Sequence, residues 1–168
     1  MGFQEVKIEE LSFNPFTKIG TDWMLVTAGD EKNHNTMTAA WGGVGFLWRK
    51  NVATAYIRPQ RYTNEFVEQN ERFTLSFYGK EYKKALSLLG SRSGRDCDKE
   101  KEAGVTPYYV DGTTAFEEAE MILVCKKLYH QEMKEECFDD QATEEECYPQ
   151  KDYHIMYIGE IEKVLIRK

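Results

Sequence analysis

The chain has 168 residues, of which 41% are hydrophobic, 30% charged and 13% aromatic. That composition suits a globular domain with a real core and excludes a disordered or fibrous chain. A net charge of −7 argues against broad binding to nucleic acid or to an anionic membrane, both of which need a positive surface.

In chain order, Trp23 to Ala28 reads as a buried strand running into a turn at Gly29 and Asp30. Thr36 to Trp48 is a second extended stretch, broken by Gly42, Gly43 and Gly45. Glycines inside a strand mark bulges or places where another group comes close. Asn51 to Ile57 is rich in strand formers, and Pro59 ends it. Thr63 is then the expected N-cap of a short helix, TNEFVEQN, with Phe66 and Val67 facing inward. Arg72 to Tyr78 alternates as a strand does. Glu81 to Leu89 reads as a helix with Tyr82, Ala85, Leu86 and Leu89 on one face and Gly90 as its stop. Residues 90–96, GSRSGRD, form a loop, and Asp98 to Ala103 a further short helix. Met121 to Met133 and Tyr153 to Ile166 are two long strands. Between them lies an acidic segment with a short helix near Thr143 to Cys147.

At least five strands with a few short helices, not in regular alternation, disfavour a doubly wound parallel sheet and favour an antiparallel Greek-key barrel. No repeat and no linker divides the chain, so residues 1–168 are read as one domain. The apolar runs are too short to span a bilayer, and MGFQEVKIEE carries no apolar leader, so the expected location is cytoplasmic. Cys97, Cys125, Cys137 and Cys147 have no C-x-x-C spacing and are read as free thiols. His34, His130 and His154 are too scattered for a metal set.

The charge is uneven. Residues 131–147 hold eight Asp or Glu and one Lys, whereas residues 33–64 hold Arg49, Lys50, Arg58 and Arg61 with no acid. A local positive site on an acidic protein suits a small anion better than a polymer. Arg58, Gln60, Arg61, Tyr62 and Thr63 combine planar bidentate donors, neutral donors and the free backbone N–H groups and positive dipole end of a helix that starts near Thr63. A solvated loop with two surface arginines is the plainer alternative. The stretch Asn35-Thr36-Met37-Thr38-Ala39-Ala40-Trp41-Gly42-Gly43 has small side chains that would let a flat ring lie against the backbone; an ordinary strand, bulge and strand is its plainer alternative. No Walker A, G-x-G-x-x-G, H-E-x-x-H or G-x-S-x-G motif is present.

These motifs resemble the flavin reductase-like family of FMN-binding split barrels, closest to its flavoredoxin-like branch. The resemblance rests on N-T-M-T-A-A-W-G-G, on R-P-Q-R-Y-T-N after the next strand, on S-G-R-D-C-D-K at 93–99 and on D-Y-H-I-M-Y-I-G-E-I at 152–161. Order and spacing agree across nearly the whole chain. The resemblance implies a mainly β fold, a six-stranded antiparallel Greek-key split barrel with short peripheral helices, and a homodimer with FMN near the subunit interface. It implies that Asn35, Thr36, Met37, Thr38, Ala39 and Trp41 line the isoalloxazine, largely through backbone groups. It implies that Arg58, Gln60, Arg61, Tyr62 and Thr63 bind the phosphate, and that Ser93, Arg95 and Lys99 close over the flavin. His154 matches a position near the ring and is the candidate catalytic residue, helping to place a nicotinamide; a purely structural histidine is its alternative. Two departures stand out: Arg58 and Gln60 replace an N-x-S pattern of short-chain flavin reductases, and residues 130–152 are longer than in the smallest members.

Three functions follow. The first is an NAD(P)H-dependent flavin reductase-like oxidoreductase with FMN as cofactor and NADH or NADPH as co-substrate. The second is a flavoredoxin-like electron carrier that holds FMN tightly, does not react with NAD(P)H, and docks a redox partner protein through its acidic segment. The third is a barrel that has lost its flavin. No nucleic-acid or membrane partner is expected.

Overall fold

The computed structural model describes residues 2–168. Among the described residues, ten strands and five α-helices follow one another, the first strand being β1 (Phe3–Val6) and the first helix α1 (Pro15–Gly20). Asn14 caps α1, its Oδ1 accepting from the amides of Phe16 at 3.0 Å and Thr17 at 3.4 Å, and Pro15 occupies the first helical position. Then come β2 (Met24–Gly29), β3 (His34–Ala39), β4 (Gly42–Leu47) and β5 (Lys50–Ile57). The glycine-broken stretch is therefore two strands, because the chain turns at Ala40 and Trp41. Next are α2 (Tyr62–Gln69), β6 (Arg72–Phe77), α3 (Lys83–Ser91) and α4 (Lys99–Ala103). A hairpin of β7 (Pro107–Val110) and β8 (Thr113–Phe116) leads to β9 (Met121–Glu132), α5 (Gln141–Cys147) and β10 (Ile155–Arg167).

The main sheet is antiparallel and eight-stranded, in the order β3-β2-β6-β9-β10-β5-β4, with β1 added on β10. The six strands of the family expectation are thus exceeded, and β3 and β4 are the sheet's two ends. The barrel is split at β10. Its first half pairs with β5 and its second half with β1, while β9 runs beside both halves. Register shifts at Ile158/Gly159 and Ile161/Lys163 bend the strand between them. Gly159 is needed there, since a Cβ would lie 2.9 Å from both the Phe73 ring and Cys125 Cβ.

Alternation builds the core on both faces of the central strands. Phe73, Leu75 and Phe77 of β6 join Leu123 and Cys125 of β9 inside the barrel. Ile122 and Val124 of β9 face the other way and pack with Leu86 and Leu89 of α3 and Phe116 of the hairpin. Thr74, on that same outer face, reaches the hairpin by donating to the Thr114 carbonyl at 2.6 Å. A strand segment buried on both sides reads as a near-continuous apolar run, as Met121 to Cys125 of β9 does, whereas its second half is polar and emerges toward solvent.

Two helix ends differ from the sequence reading. The N-cap of α2 is Arg61, not Thr63, which lies inside the first turn. Helix α3 runs through Gly90 to Ser91. Gly90 serves proximity instead of termination, because a Cβ there would sit 3.0 Å from Thr38 Cβ. All four cysteines are free thiols. Among the described residues, no helix is long and apolar enough to cross a membrane, and no group of three or more His, Cys, Asp or Glu could hold a metal ion.

Candidate functional site

The end of β5 and the start of α2 are joined by a tight turn in which the Arg61 amide donates to the Arg58 carbonyl at 3.1 Å. No side chain caps α2. Thr63 instead uses its hydroxyl to accept from Asn35 Nδ2 at 2.7 Å, and both residues are buried. That bond fixes the helix start against β3. The Asn64 amide donates to the Arg61 carbonyl at 2.9 Å, so the groups left at the helix start as a weak positive pole are the Tyr62 and Thr63 N–H groups.

They meet a cavity of about 110 Å³ lined by Asn35, Gln60, Arg61, Tyr62, Thr63, Ser93, Arg95 and Lys99 among others. Arg61 donates to the Gly90 carbonyl at 3.0 Å. Lys99 is 4% exposed, and its ammonium donates to the carbonyls of Leu89 at 3.0 Å and Arg92 at 3.2 Å. Both cations therefore satisfy carbonyls at the C-terminal end of α3. Neither forms an ion pair with a carboxylate among the described residues. Burial lowers the pKa of Arg61, and burial with the Arg61 charge beside it pulls Lys99 down to about 8. Two cations confined without a carboxylate make a site that an anion would stabilise.

Arg95 stands over the Tyr62 ring at 4.4 Å and pairs with the Glu65 carboxylate, so its charge is largely answered within the protein. Its loop lies hard against β3: a Cβ on Gly94 would fall 2.2 Å from Asn35 Oδ1. Only glycine lets Ser93 and Arg95 close that side of the cavity.

A second cavity of about 270 Å³ adjoins the first, sharing Met37 and Arg61. Its walls are Met37 to Trp41, Tyr56, Arg58, Gly90 and His154. As an end strand, β3 pairs only with β2, which leaves the other row of its backbone N–H and C=O groups without a strand partner. Thr38 is held by a short hydrogen bond to the Leu86 carbonyl, which ties β3 to α3. Trp41 is half exposed, with its ring 5.0 Å from that of His154 at 48°.

Arg58 has a different fate from Arg61. It pairs with Asp152 at 2.7 Å, donates to the Cys147 carbonyl at 2.9 Å and lies over the Tyr148 ring at 5.0 Å. Gln60 donates to the same Asp152 carboxylate at 2.8 Å, and that bond above all holds the Asp152 pKa below its ordinary value. His154 is buried, and Tyr148 Oη lies 2.7 Å from its Nδ1. Burial, then the Arg58 charge, depress the His154 pKa to about 4, so the imidazole is neutral at pH 7.

Met37, Thr38, Ala39, Trp41, Arg58, Arg61 and His154 thus share one cavity, and Asn35, Gln60, Tyr62, Thr63, Ser93, Arg95 and Lys99 the other. Thr36 lines neither; its hydroxyl is buried 2.7 Å from that of Thr27. Tyr56, Tyr148 and Asp152 were not among the sequence candidates. Tyr148 lies in an acidic segment whose return to the site depends on a turn closed by the Lys151 amide on the Tyr148 carbonyl, and nothing in its local sequence announces that.

Residues 16–168 match the flavin reductase like domain. The chain belongs to that family. No curated protein matches the sequence. Among solved structures, similarity extends to an FMN-binding domain of a flavin reductase-like enzyme from Shewanella baltica, with a TM-score of 0.69, 18% identity and coverage of 98% of this chain and 76% of that one. Flavoredoxin of Desulfovibrio vulgaris gives 0.69, 20%, 98% and 78%. The NADH:FAD oxidoreductase of Streptomyces globisporus gives 0.66, 15%, 88% and 76%. These likenesses establish the split-barrel fold of this family member.

Proposed function

We propose that this family member is a flavoprotein that binds FMN across the two adjoining cavities. The observation that carries the reading is a pair of cations without carboxylates among the described residues, buried Lys99 and half-buried Arg61, beside the uncapped start of α2. A phosphate dianion there would receive charge-assisted bonds from both cations and from the helix N–H groups. The open edge of β3 would offer alternating donors and acceptors to the rim of a flat heteroaromatic ring in the larger cavity. FMN when bound supplies hydride and electron transfer; the residues here bind and orient it.

We assign the chain as an NAD(P)H:flavin oxidoreductase type, with NADH or NADPH approaching from the Trp41 and His154 side, where the cavity stays open. The NADH:FAD oxidoreductase of similar fold supports this reading. The flavoredoxin neighbour supports a second, electron carriage without a nicotinamide reaction, in which the acidic surface of residues 131–147 docks a redox partner. Exposed Phe16, Phe46 and Trp48 fit a homodimer, and free thiols fit a cytoplasmic protein.

The test is a visible spectrum of the purified chain, with FMN added and then NADH or NADPH under anaerobic conditions. Flavin bands that bleach with nucleotide establish the reductase. Bands that resist nucleotide but bleach with dithionite establish the carrier. Failure to take up FMN overturns both.

A further inference from the structure

His154 and Tyr148, six residues apart, flank a turn and meet across it in a way that constrains chemistry. Tyr148 is the residue at which α5 ends, and the turn to Lys151 brings the chain back into β10. Tyr148 is 4% exposed and His154 8% exposed. The phenol oxygen lies 2.7 Å from His154 Nδ1, and the two rings meet edge to face at 5.5 Å. Tyr148 Oη also lies 3.7 Å from Met133 Sδ, a weak acceptor. His154 Nε2 makes no hydrogen bond among the described residues, and it is not one of the buried polar atoms left without a partner. It therefore opens toward the cavity that His154 lines with Trp41 and the end of β3.

The surroundings favour one arrangement of protons. Arg58 covers the Tyr148 ring and pairs with Asp152, so charged groups of both signs face the histidine from the β5 turn and from the approach to β10. Trp41 on the remaining side is uncharged. A second cation would gain little there. A neutral imidazole with an acceptor at Nδ1 uses the Tyr148 hydroxyl as donor, and its proton is then on Nε2.

We propose that Tyr148 is a positioning residue that holds His154 as the neutral Nε2–H tautomer, making it a fixed hydrogen-bond donor for a carbonyl oxygen of a planar ligand in the larger cavity. The ligand half of this inference rests on the flavin reading above. Two sources share the chemistry: a carbonyl on the pyrimidine rim of the flavin, or the carboxamide of a second planar ligand stacked beside it. Either would meet a donor, and His154 delivers no proton to it.

Long-range ¹H–¹⁵N correlation spectra of the ¹⁵N-histidine-labelled full chain read the tautomer directly, first without flavin. The expected result at pH 7 is protonated Nε2 with acceptor-type Nδ1, and in Tyr148→Phe a mixture of the two tautomers. A protonated Nδ1 or an imidazolium in the wild type, or an unchanged tautomer in Tyr148→Phe, overturns the positioning role. Addition of FMN and then of nicotinamide separates the sources. A downfield Nε2–H shift with FMN alone assigns the donor to the flavin rim, and a shift only with nicotinamide assigns it to the second ligand. No shift with either, in a chain that binds FMN, overturns the donor role. Absence of FMN binding beside the expected tautomer overturns the flavin reading and supports the role of Tyr148. Should Tyr148→Phe fail to fold, His154→Gln, which keeps a side-chain donor, and His154→Leu, which does not, replace it. The former is expected to retain the ligand to which the shift was assigned, and the latter to weaken it roughly three- to tenfold. Equal affinity in both overturns the donor role.

Discussion

Arg58 and Arg61 stand three residues apart on one turn, yet they belong to two regions with opposite electrostatics. Arg61 lies with Lys99 at the end of α3, where the acceptors are backbone carbonyls and no carboxylate forms an ion pair. Arg58 lies in a network already complete, with Asp152, the Cys147 carbonyl and the Tyr148 ring around it. The first region holds charge in reserve for an anion; the second uses its charge to fasten the acidic segment to the barrel. A cation's value for binding depends less on its type than on what already answers it.

The sharpest way to break this contrast is to remove the reserve. The double variant Arg61→Ala, Lys99→Met should weaken FMN binding by about 3–6 kcal/mol, at about 1.5–3 kcal/mol per charged donor. Riboflavin, which lacks the phosphate, should bind the variant as it binds the wild type. Fluorescence titration with both flavins checks this, and equal losses for the two would place the phosphate elsewhere.

Arg58→Ala should do the reverse, changing FMN affinity little while costing about 1–3 kcal/mol of stability in urea unfolding, since it leaves the Asp152 carboxylate with Gln60 alone and removes the donor to a helix-end carbonyl. A large FMN defect with unaltered stability would return Arg58 to the phosphate site.

The two regions should also differ in pH response. A phosphomonoester gains its second charge near pH ~6, whereas Lys99 loses its charge near pH 8. FMN affinity should therefore be greatest between these values and fall on either side, by about tenfold or less within a pH unit beyond each limit. In Lys99→Met the upper fall should vanish and the lower one remain. His154, with a pKa of about 4, should leave no inflection between pH 6 and 8.

The smallest effect concerns how the reserve is held in place. His34 Nε2 lies 3.0 Å from Glu100, the neighbour of Lys99, and this bond above all raises the His34 pKa over its ordinary 6.5. Its stabilising contribution is complete below about pH 6.5 and is lost as pH rises through the raised value. His34→Gln should cost about 0.5–1 kcal/mol at pH 6 and less at pH 8, as thermal unfolding at the two pH values would show.

Much of this molecule was legible in its residue order. Alternation in Arg72 to Tyr78 located β6, the apolar run from Met121 located β9, and Asp98 marked the start of α4, where its carboxylate accepts from the Lys101 amide at 3.2 Å. The hairpin of β7 and β8 was not legible, because its short strands carry Pro107 and gain their burial only from the sheet beneath. The N-cap at Thr63 was misplaced for a related reason. Local preference favours a capping hydroxyl, but a buried bond to Asn35, distant in the chain, claims it first.

By itself, the order of residues determined the central strands β2, β5, β6, β9 and β10, their apolar faces, the clustering of basic residues before α2 and the room left by small residues along β3. These are local properties, set by side-chain period and backbone preference. Tertiary structure alone decided which arginine is answered and which is not, that Lys99 lies buried beside Arg61, and that Tyr148 reaches His154. The first two depend on charges and acceptors brought together from distant segments and the third on the course of one turn, and burial, which amplifies every electrostatic difference, exists only once the sheet has folded.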